Sequence, residues 1–169
     1  MKNNVQLITY VDRLTGSNIK ELNNILNEQL ANQFSGIHLL PFYYPIDGSD
    51  AGFDPIDHTK VDSRLGSWQD VKALGEHYDV MADLIVNHMS SQSEEFQDVL
   101  NKGQNSPYWD LFLTKDKVFP NGFDNEQQDK IYRPRPGSCF TEFTLPNNES
   151  AEFWTTFTDN QIDIDVTSK

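Results

Sequence analysis

Cysteine is nearly absent: Cys139 is the only one in 169 residues. A lone thiol cannot close an internal disulfide, which suits a reducing compartment. Positive charge is scarce too. Thirteen Lys and Arg stand against 26 Asp and Glu, a formal net charge of -13. Binding a phosphate backbone needs a basic surface, so this balance argues against nucleic acid as a partner. Long hydrophobic runs are missing. No stretch approaches the ~18 apolar residues of a membrane span, and mean hydropathy is -0.61. Behind Met1-Lys2-Asn3-Asn4 a strand-like segment begins at once, with no apolar region and no small-residue cleavage site. No secretory leader is therefore expected, and the expected location is the cytoplasm. There are no internal repeats and no low-complexity tract. A neutral or small polyhydroxy ligand fits such a chain better than a polyanion.

What the chain does have begins as β-α-β-α-β. Val5 to Tyr10 is rich in β-favouring residues and predicts a strand. Gly16-Ser17 offers a turn and a helix N-cap. Ile19, Leu22, Ile25, Leu26 and Leu30 then recur at helical spacing with polar residues between them. Ile37 to Leu40 predicts a second buried strand, closed by Pro41. A long loop from Phe42 to His58 follows, carrying Gly, Pro, Asp and aromatics; loops of that length are usually functional or disordered, and the aromatics argue against disorder. Ser67-Trp68-Gln69-Asp70 is a capping box, and Val71, Leu74 and Tyr78 continue a second helix. Asp79 to Ala82 feeds Asp83-Leu84-Ile85-Val86-Asn87-His88, which predicts a buried strand ending in two polar residues. In α/β folds chemistry collects where strands end at their C-terminal edge.

The alternation then stops. Glu94 to Leu100 predicts a short helix. Beyond it come many Pro, Gly, Asn and aromatic residues, too aromatic for a linker. A small irregular subdomain with short strands is expected there. Three parallel strands with two crossover helices do not finish a fold, since a barrel of this type needs eight strands and ~250 residues. The expectation is an α/β chain: residues 1–88 as the N-terminal part of a (β/α)₈ barrel, 89–165 as an inserted, mostly irregular or β domain, and 166–169 as the return to the barrel.

Asp83-x-x-x-Asn87-His88 at the end of the third strand resembles conserved region I of the α-amylase superfamily, glycoside hydrolase family 13. That family has a (β/α)₈ barrel with a B domain inserted after strand three. Further stretches are similar to its sucrose-acting phosphorylase branch: Asp50 to Asp57, Val118 to Gly122, Ile131 to Gly137 and Gln161 to Asp165. The resemblance implies a retaining transfer of the glucosyl unit of sucrose to phosphate, giving α-D-glucose 1-phosphate and fructose. Retaining enzymes use two carboxylates ~5–5.5 Å apart, one as nucleophile and one as acid/base. In the family these follow the fourth and fifth strands, so the nucleophile and acid/base are expected beyond Lys169, and these residues alone are expected to be inactive. No cofactor is implied, inorganic phosphate being a co-substrate. The implied partners are sucrose, phosphate, glucose 1-phosphate and fructose, with neither nucleic acid nor membrane, and the resemblance allows a homodimer of the full-length protein.

Each site residue has a functional and a structural reading. His88 can donate to a sugar hydroxyl, or it is a core histidine satisfied by backbone; the resemblance places it at the glucosyl unit. Asp50 matches a carboxylate that holds glucosyl hydroxyls, where two acceptor oxygens read a sugar end; otherwise it is an Asp in a Gly-containing turn. Phe53 matches an aromatic platform that also excludes water, or it is core packing. Tyr132, Arg135, Phe157 and Gln161 correspond to residues shaping the acceptor side. Arg135 could take phosphate through its guanidinium fork, whereas Arg133 and Arg135 also read as surface charges between prolines. Asn87 resembles the calcium ligand of many α-amylases, but no metal is expected, and His38, His58 and His77 show no metal spacing. Asp163 and Asp165 alternate with Ile162 and Ile164, which predicts one wet and one dry face. Cys139 has no catalytic base near it in sequence and reads as packing. The competing functions are a phosphorylase for sucrose 6'-phosphate or glucosylglycerate, an α-glucoside hydrolase of the same superfamily, and a non-catalytic carbohydrate-binding fragment.

Overall fold

The computed structural model describes residues 4–168. The chain divides into two compact units, Met1–Leu84 and Ile85–Lys169.

The first unit is built on a three-stranded parallel sheet. Its strands are β1 (Gln6–Thr9), β2 (Gly36–Leu39) and a third at Asp79–Ala82, with the Gly36 strand in the middle. The rows run Leu7–Ile37–Val80 and Ile8–His38–Met81. Parallel neighbours need a crossover, and helices supply it. After β1 comes a short helix α1 (Val11–Thr15), which the sequence reading did not anticipate. Val11 is buried beneath it, and Gly16 ends it as a left-handed C-cap at φ 67. The Gly16-Ser17 turn thus closes one helix instead of capping the next. The main crossover helix α2 (Ile19–Glu28) is capped by Asn18, whose side chain accepts from the Glu21 amide. Ile19, Leu22 and Leu26 form its buried stripe.

The long loop after the middle strand is more ordered than its composition predicts. It holds a two-stranded antiparallel ribbon, β3 (Tyr43–Tyr44) with β4 (Asp57–Val61), and a 3₁₀ turn at Asp50–Gly52. Trp68 ties the ribbon to helix α3 (Trp68–Gly75) by donating its indole N–H to the Thr59 carbonyl at 2.7 Å. The capping box on Ser67 and Asp70 is formed as the sequence predicts.

The third strand, β5 (Asp79–Ala82), ends earlier than the aliphatic run suggested. Its ladder stops at the Leu39–Ala82 pair. Beyond Leu40 the neighbouring strand presents Pro41, which has no N–H to continue the pairing. Residues 83–87 lie outside any strand. Leu84 and Val86 are exposed while Ile85 is only 8% exposed, so this is not a run of three buried aliphatics.

The second unit is antiparallel and aromatic. Strand β6 (His88–Ser90) pairs with the C-terminal segment Gln161–Asp163, setting His88 opposite Asp163 and Ser90 opposite Gln161. Helix α4 (Glu94–Lys102) starts at the buried Ser93, whose hydroxyl accepts from the Phe96 amide. Two short helices follow, α5 (Lys115–Val118) and α6 (Asn125–Asp129). A five-pair hairpin joins β7 (Phe140–Thr144) to β8 (Ser150–Trp154), and β9 (Gln161–Asp163) completes the order. The core is Phe96, Val99, Phe112, Phe153 and Ile162. Phe96 meets Phe112, Phe143 and Phe153 edge-on at 4.9–5.1 Å, the arrangement that ring quadrupoles favour.

The expected wet face of the last strand is not wet. Asp163 and Asp165 are both buried. Thr156 donates its amide and hydroxyl to Asp163, and Lys117 pairs with Asp165 at 2.6 Å. A buried carboxylate persists when donors replace its water, which is why alternation misjudged these positions. Among the described residues no helix is long and apolar enough to cross a membrane.

Candidate functional site

In the second unit His88 is buried at the start of β6. Gln161, fully buried on the paired strand β9, places its side-chain nitrogen 2.9 Å from His88 Nε2. The Thr158 hydroxyl donates to Gln161 Oε1 at 2.8 Å. With its oxygen so engaged, the amide turns its N–H toward the imidazole. Phe157 packs its ring edge-on against His88, 5.5 Å between centroids. Three residues named from the sequence, His88, Phe157 and Gln161, therefore meet in one cluster. Asn87 places its side-chain nitrogen 3.4 Å from His88 Nδ1, and its carbonyl accepts from the Ile164 amide. Burial pushes the Asp163 carboxyl up from its usual range, against hydrogen bonds from Thr156 and the nearby His88 and Arg133.

Tyr132 and Arg135 lie on a separate segment of the same unit. Both are exposed, Tyr132 at 88%. Arg133 between them is no loose surface charge. Its guanidinium donates to the carbonyls of Thr155 (2.8 Å), Thr156 (3.3 Å) and Pro136 (3.4 Å). Cys139 is buried behind this segment and carries no disulfide. Burial raises its thiol pKa, which keeps it a poor nucleophile.

In the first unit Asp50 and Phe53 share one turn. Asp50 and Ala51 both have positive φ, 53 and 57, followed by Gly52 at 88. The Phe53 amide donates to the Asp50 carbonyl at 3.2 Å and closes the turn. Consecutive non-glycine residues in this conformation are disfavoured by their Cβ atoms and persist where the surroundings over-determine them. Sequence reading missed a network that reaches back to the start of this loop: Arg64 bonded to Asp47 and Asp62. The signal was the Asp62-x-Arg64 spacing, which is mute until Asp47 is folded against it. Elsewhere in this unit Asp83 pairs with His38 at 3.0 Å, and the Tyr43 hydroxyl donates to its carbonyl at 3.0 Å. Among the described residues no group of three or more His, Cys, Asp or Glu side chains is arranged to hold a metal ion.

Residues 30–168 match the family Alpha-amylase, described as alpha amylase, catalytic domain. The chain belongs to that family. It is 53% identical over 168 residues to the sucrose phosphorylase of Bifidobacterium adolescentis, covering 99% of this chain and 33% of that protein. To the sucrose 6(F)-phosphate phosphorylase of Thermoanaerobacterium thermosaccharolyticum it is 41% identical, covering 99% of this chain and 35% of that protein. The crystal structure of a sucrose 6F-phosphate phosphorylase from Thermoanaerobacter thermosaccharolyticum superimposes with a TM-score of 0.92 at 38% identity, over 99% of this chain and 35% of that one. The chain spans about a third of the length of the curated relatives it matches. Its first unit is accordingly the opening strand-helix repeats of a (β/α)₈ barrel.

Proposed function

We propose that these residues form the N-terminal part of a sucrose phosphorylase, which moves the glucosyl unit of sucrose to inorganic phosphate with retention. The observation that carries this reading is the identity of 53% to a sucrose phosphorylase against 41% to a sucrose 6(F)-phosphate phosphorylase, each over 99% of the chain. In this reading residues 1–88 belong to the barrel and 89–165 to a domain inserted in it. The nucleophile and the acid/base lie in the two thirds of the relatives' length that these residues do not span. Phosphate is a co-substrate and no cofactor is required. The full-length protein works in the cytoplasm, as a homodimer.

The residues present bind and orient. Asp50 accepts hydrogen bonds from glucosyl hydroxyls, and Phe53 offers an apolar ring to the C–H face of the sugar and keeps water from the reacting centre. The His88 imidazole bonds a glucosyl hydroxyl, an interaction that strengthens as positive charge develops on the ring. Gln161 and Phe157, which the resemblance assigns to the acceptor side, also hold that imidazole in place, supported by the 2.9 Å amide contact and the edge-on ring. Tyr132 and Arg135 face the acceptor, where the guanidinium fork suits phosphate.

The test uses the full-length enzyme. Sucrose with phosphate should give glucose 1-phosphate with a higher kcat/KM than sucrose 6'-phosphate or glucosylglycerate. A preference of tenfold or more for either of those would replace the reading with the corresponding sister phosphorylase, and release of free glucose alone would make the enzyme a hydrolase. His88→Ala should lower kcat about 100-fold. Unchanged kcat/KM in that variant, at unchanged melting temperature, would return His88 to a core histidine.

A further inference from the structure

The turn that carries Asp50 and Phe53 is held by an ionic clamp that is anchored on one buried carboxylate some ten residues further along the chain. Asp62 is 1% exposed. It accepts from the Ile46 amide (3.1 Å) and, within its own loop, from the Arg64 amide (2.9 Å), Nε (2.9 Å) and Nη2 (2.6 Å). The same guanidinium turns its other edge to Asp47, with Nη1 and Nη2 each 2.9 Å from a carboxylate oxygen. Arg64 therefore bridges two carboxylates, Asp62, which accepts from the Ile46 amide, and Asp47, the next residue along the chain. A lone exposed ion pair would contribute little. This one is forked on both edges and anchored on a buried partner, so it fixes geometry.

From the clamp to the turn the path is short. Ile46 is pinned through its amide, and its carbonyl oxygen would lie 3.1 Å from a Cβ at Gly52. A Cβ at Gly48 would lie 2.9 Å from the Asp54 carbonyl oxygen. The Gly52 end of the turn thus rests against the pinned Ile46, and Gly48 closes on Asp54 across the turn, neither with room for a side chain. Positive φ at the non-glycine residues Asp50 and Ala51 needs such confinement. Hydrogen bonds from Arg64 hold the Asp62 carboxyl at about 2 and that of Asp47 below its usual range, so both arms stay charged at neutral pH.

We propose that Arg64 is a positioning residue for glucosyl binding: by tying Asp47 to Asp62 it holds the confined turn that presents Asp50 and Phe53. The proposal rests on the reading of Asp50 and Phe53 as glucosyl-binding residues.

The experiment uses the full-length enzyme with Asp47→Ala, which cuts the exposed arm and leaves the buried Asp62–Arg64 pair, and with Arg64→Lys, which keeps the charge and loses the fork. Three quantities are read: kcat/KM for sucrose and for glucose 1-phosphate, melting temperature, and amide hydrogen exchange over residues 48–54. Asp47→Ala should lower kcat/KM for both donors by a similar factor of about 10 to 100, because both present the same glucosyl unit. Exchange over 48–54 should quicken while the melting temperature stays near that of the unmodified enzyme. Arg64→Lys should reproduce the loss. Asp47→Ala combined with Asp50→Ala should lose less than the product of the two single losses, since the clamp acts in part through Asp50. Fully additive losses, or unchanged exchange over 48–54, would overturn the proposal. If Asp50→Ala and Phe53→Leu both leave kcat/KM untouched, the binding reading of those residues has failed, and so has the role of Arg64 in glucosyl binding.

Discussion

The two units bury their apolar side chains in opposite ways. The second closes a core on itself: Phe96, Phe112 and Phe153 are fully buried, with aromatic edges turned to faces on several sides. The first packs one face of its sheet. Leu22, Leu26, Ile37, Leu39 and Leu74 are buried, yet on the opposite row Ile8 is 62% exposed beside His38 and Met81. A parallel sheet ordinarily has both faces covered. A fold assembled from repeats leaves each piece dependent on later pieces, whereas an inserted hairpin-and-helix unit can complete its own core.

The comparison can be pressed hardest at the aromatic core. Phe153→Ala should cost about 3–5 kcal/mol in urea unfolding of the 169-residue chain. A loss below about 1 kcal/mol would mean that the second unit's core is not the tightly packed one its ring contacts describe.

The same capping device, placed in both units, gives a finer test. Ser93 caps α4 from a fully buried position, and Ser67 caps α3 from an exposed one. Ser93→Ala should cost about 2 kcal/mol and Ser67→Ala about 1 kcal/mol or less, by the same unfolding assay. Equal costs would remove burial as the distinguishing factor.

Acid should reach both units through carboxylates held low by their donors, with Asp57 and Asp62 in the first and Asp165 in the second lowered to about 2. Asp62 is lowered to about 2 first by its bonds from Arg64, and Asp165 to about 2 first by its bond from Lys117. A carboxyl whose folded pKa is lowered stabilises the fold above its unfolded value, near 4, and that contribution fades as pH falls toward 2. Asp163 runs the other way. Its raised pKa means that its ionisation opposes folding, an opposition relieved when acid protonates it. Unfolding midpoints measured from pH 5 to pH 2 should therefore fall. Asp62→Asn should flatten that fall, and Asp163→Asn should not.

The smallest effect concerns the open row. Ile8→Thr should change the stability of the 169-residue chain by less than about 0.5 kcal/mol. In the full-length polypeptide the same substitution should cost about 1 kcal/mol or more if later strands cover that row. Equal costs in the two would break the contrast between a self-sufficient unit and a dependent one.

Local signals in the sequence were read well. The spacing of Ile19, Leu22 and Leu26 and the Ser67–Asp70 box needed only neighbours within a turn or two of helix. What failed depended on distant partners. Tyr43 pairs with Val61 across an apparent loop, and His88 with Asp163 across most of the second unit. The aliphatic run at Leu84–Val86 looked like a strand because the sequence does not show the register that pairs Leu39 with Ala82 and so ends the ladder at Pro41. Asp163 looked wet because alternation cannot reveal Thr156. Of the candidate residues, His88, Asp50 and Phe53 were legible through a resemblance carried by short motifs. The contact of Gln161 with His88 and the bridge made by Arg64 became visible only with the chain folded.

Arg133 has a further meaning for how this protein could change. It fastens its segment through carbonyl oxygens of Thr155, Thr156 and Pro136, groups that every amino acid supplies. Substitutions at those three positions keep the carbonyls, so the fastening tolerates sequence drift on its receiving side. Tyr132 and Arg135 sit on either side of that fixed point with their side chains exposed. The side chains at those two positions can therefore be exchanged while the backbone beneath them stays where it is, provided position 133 remains arginine.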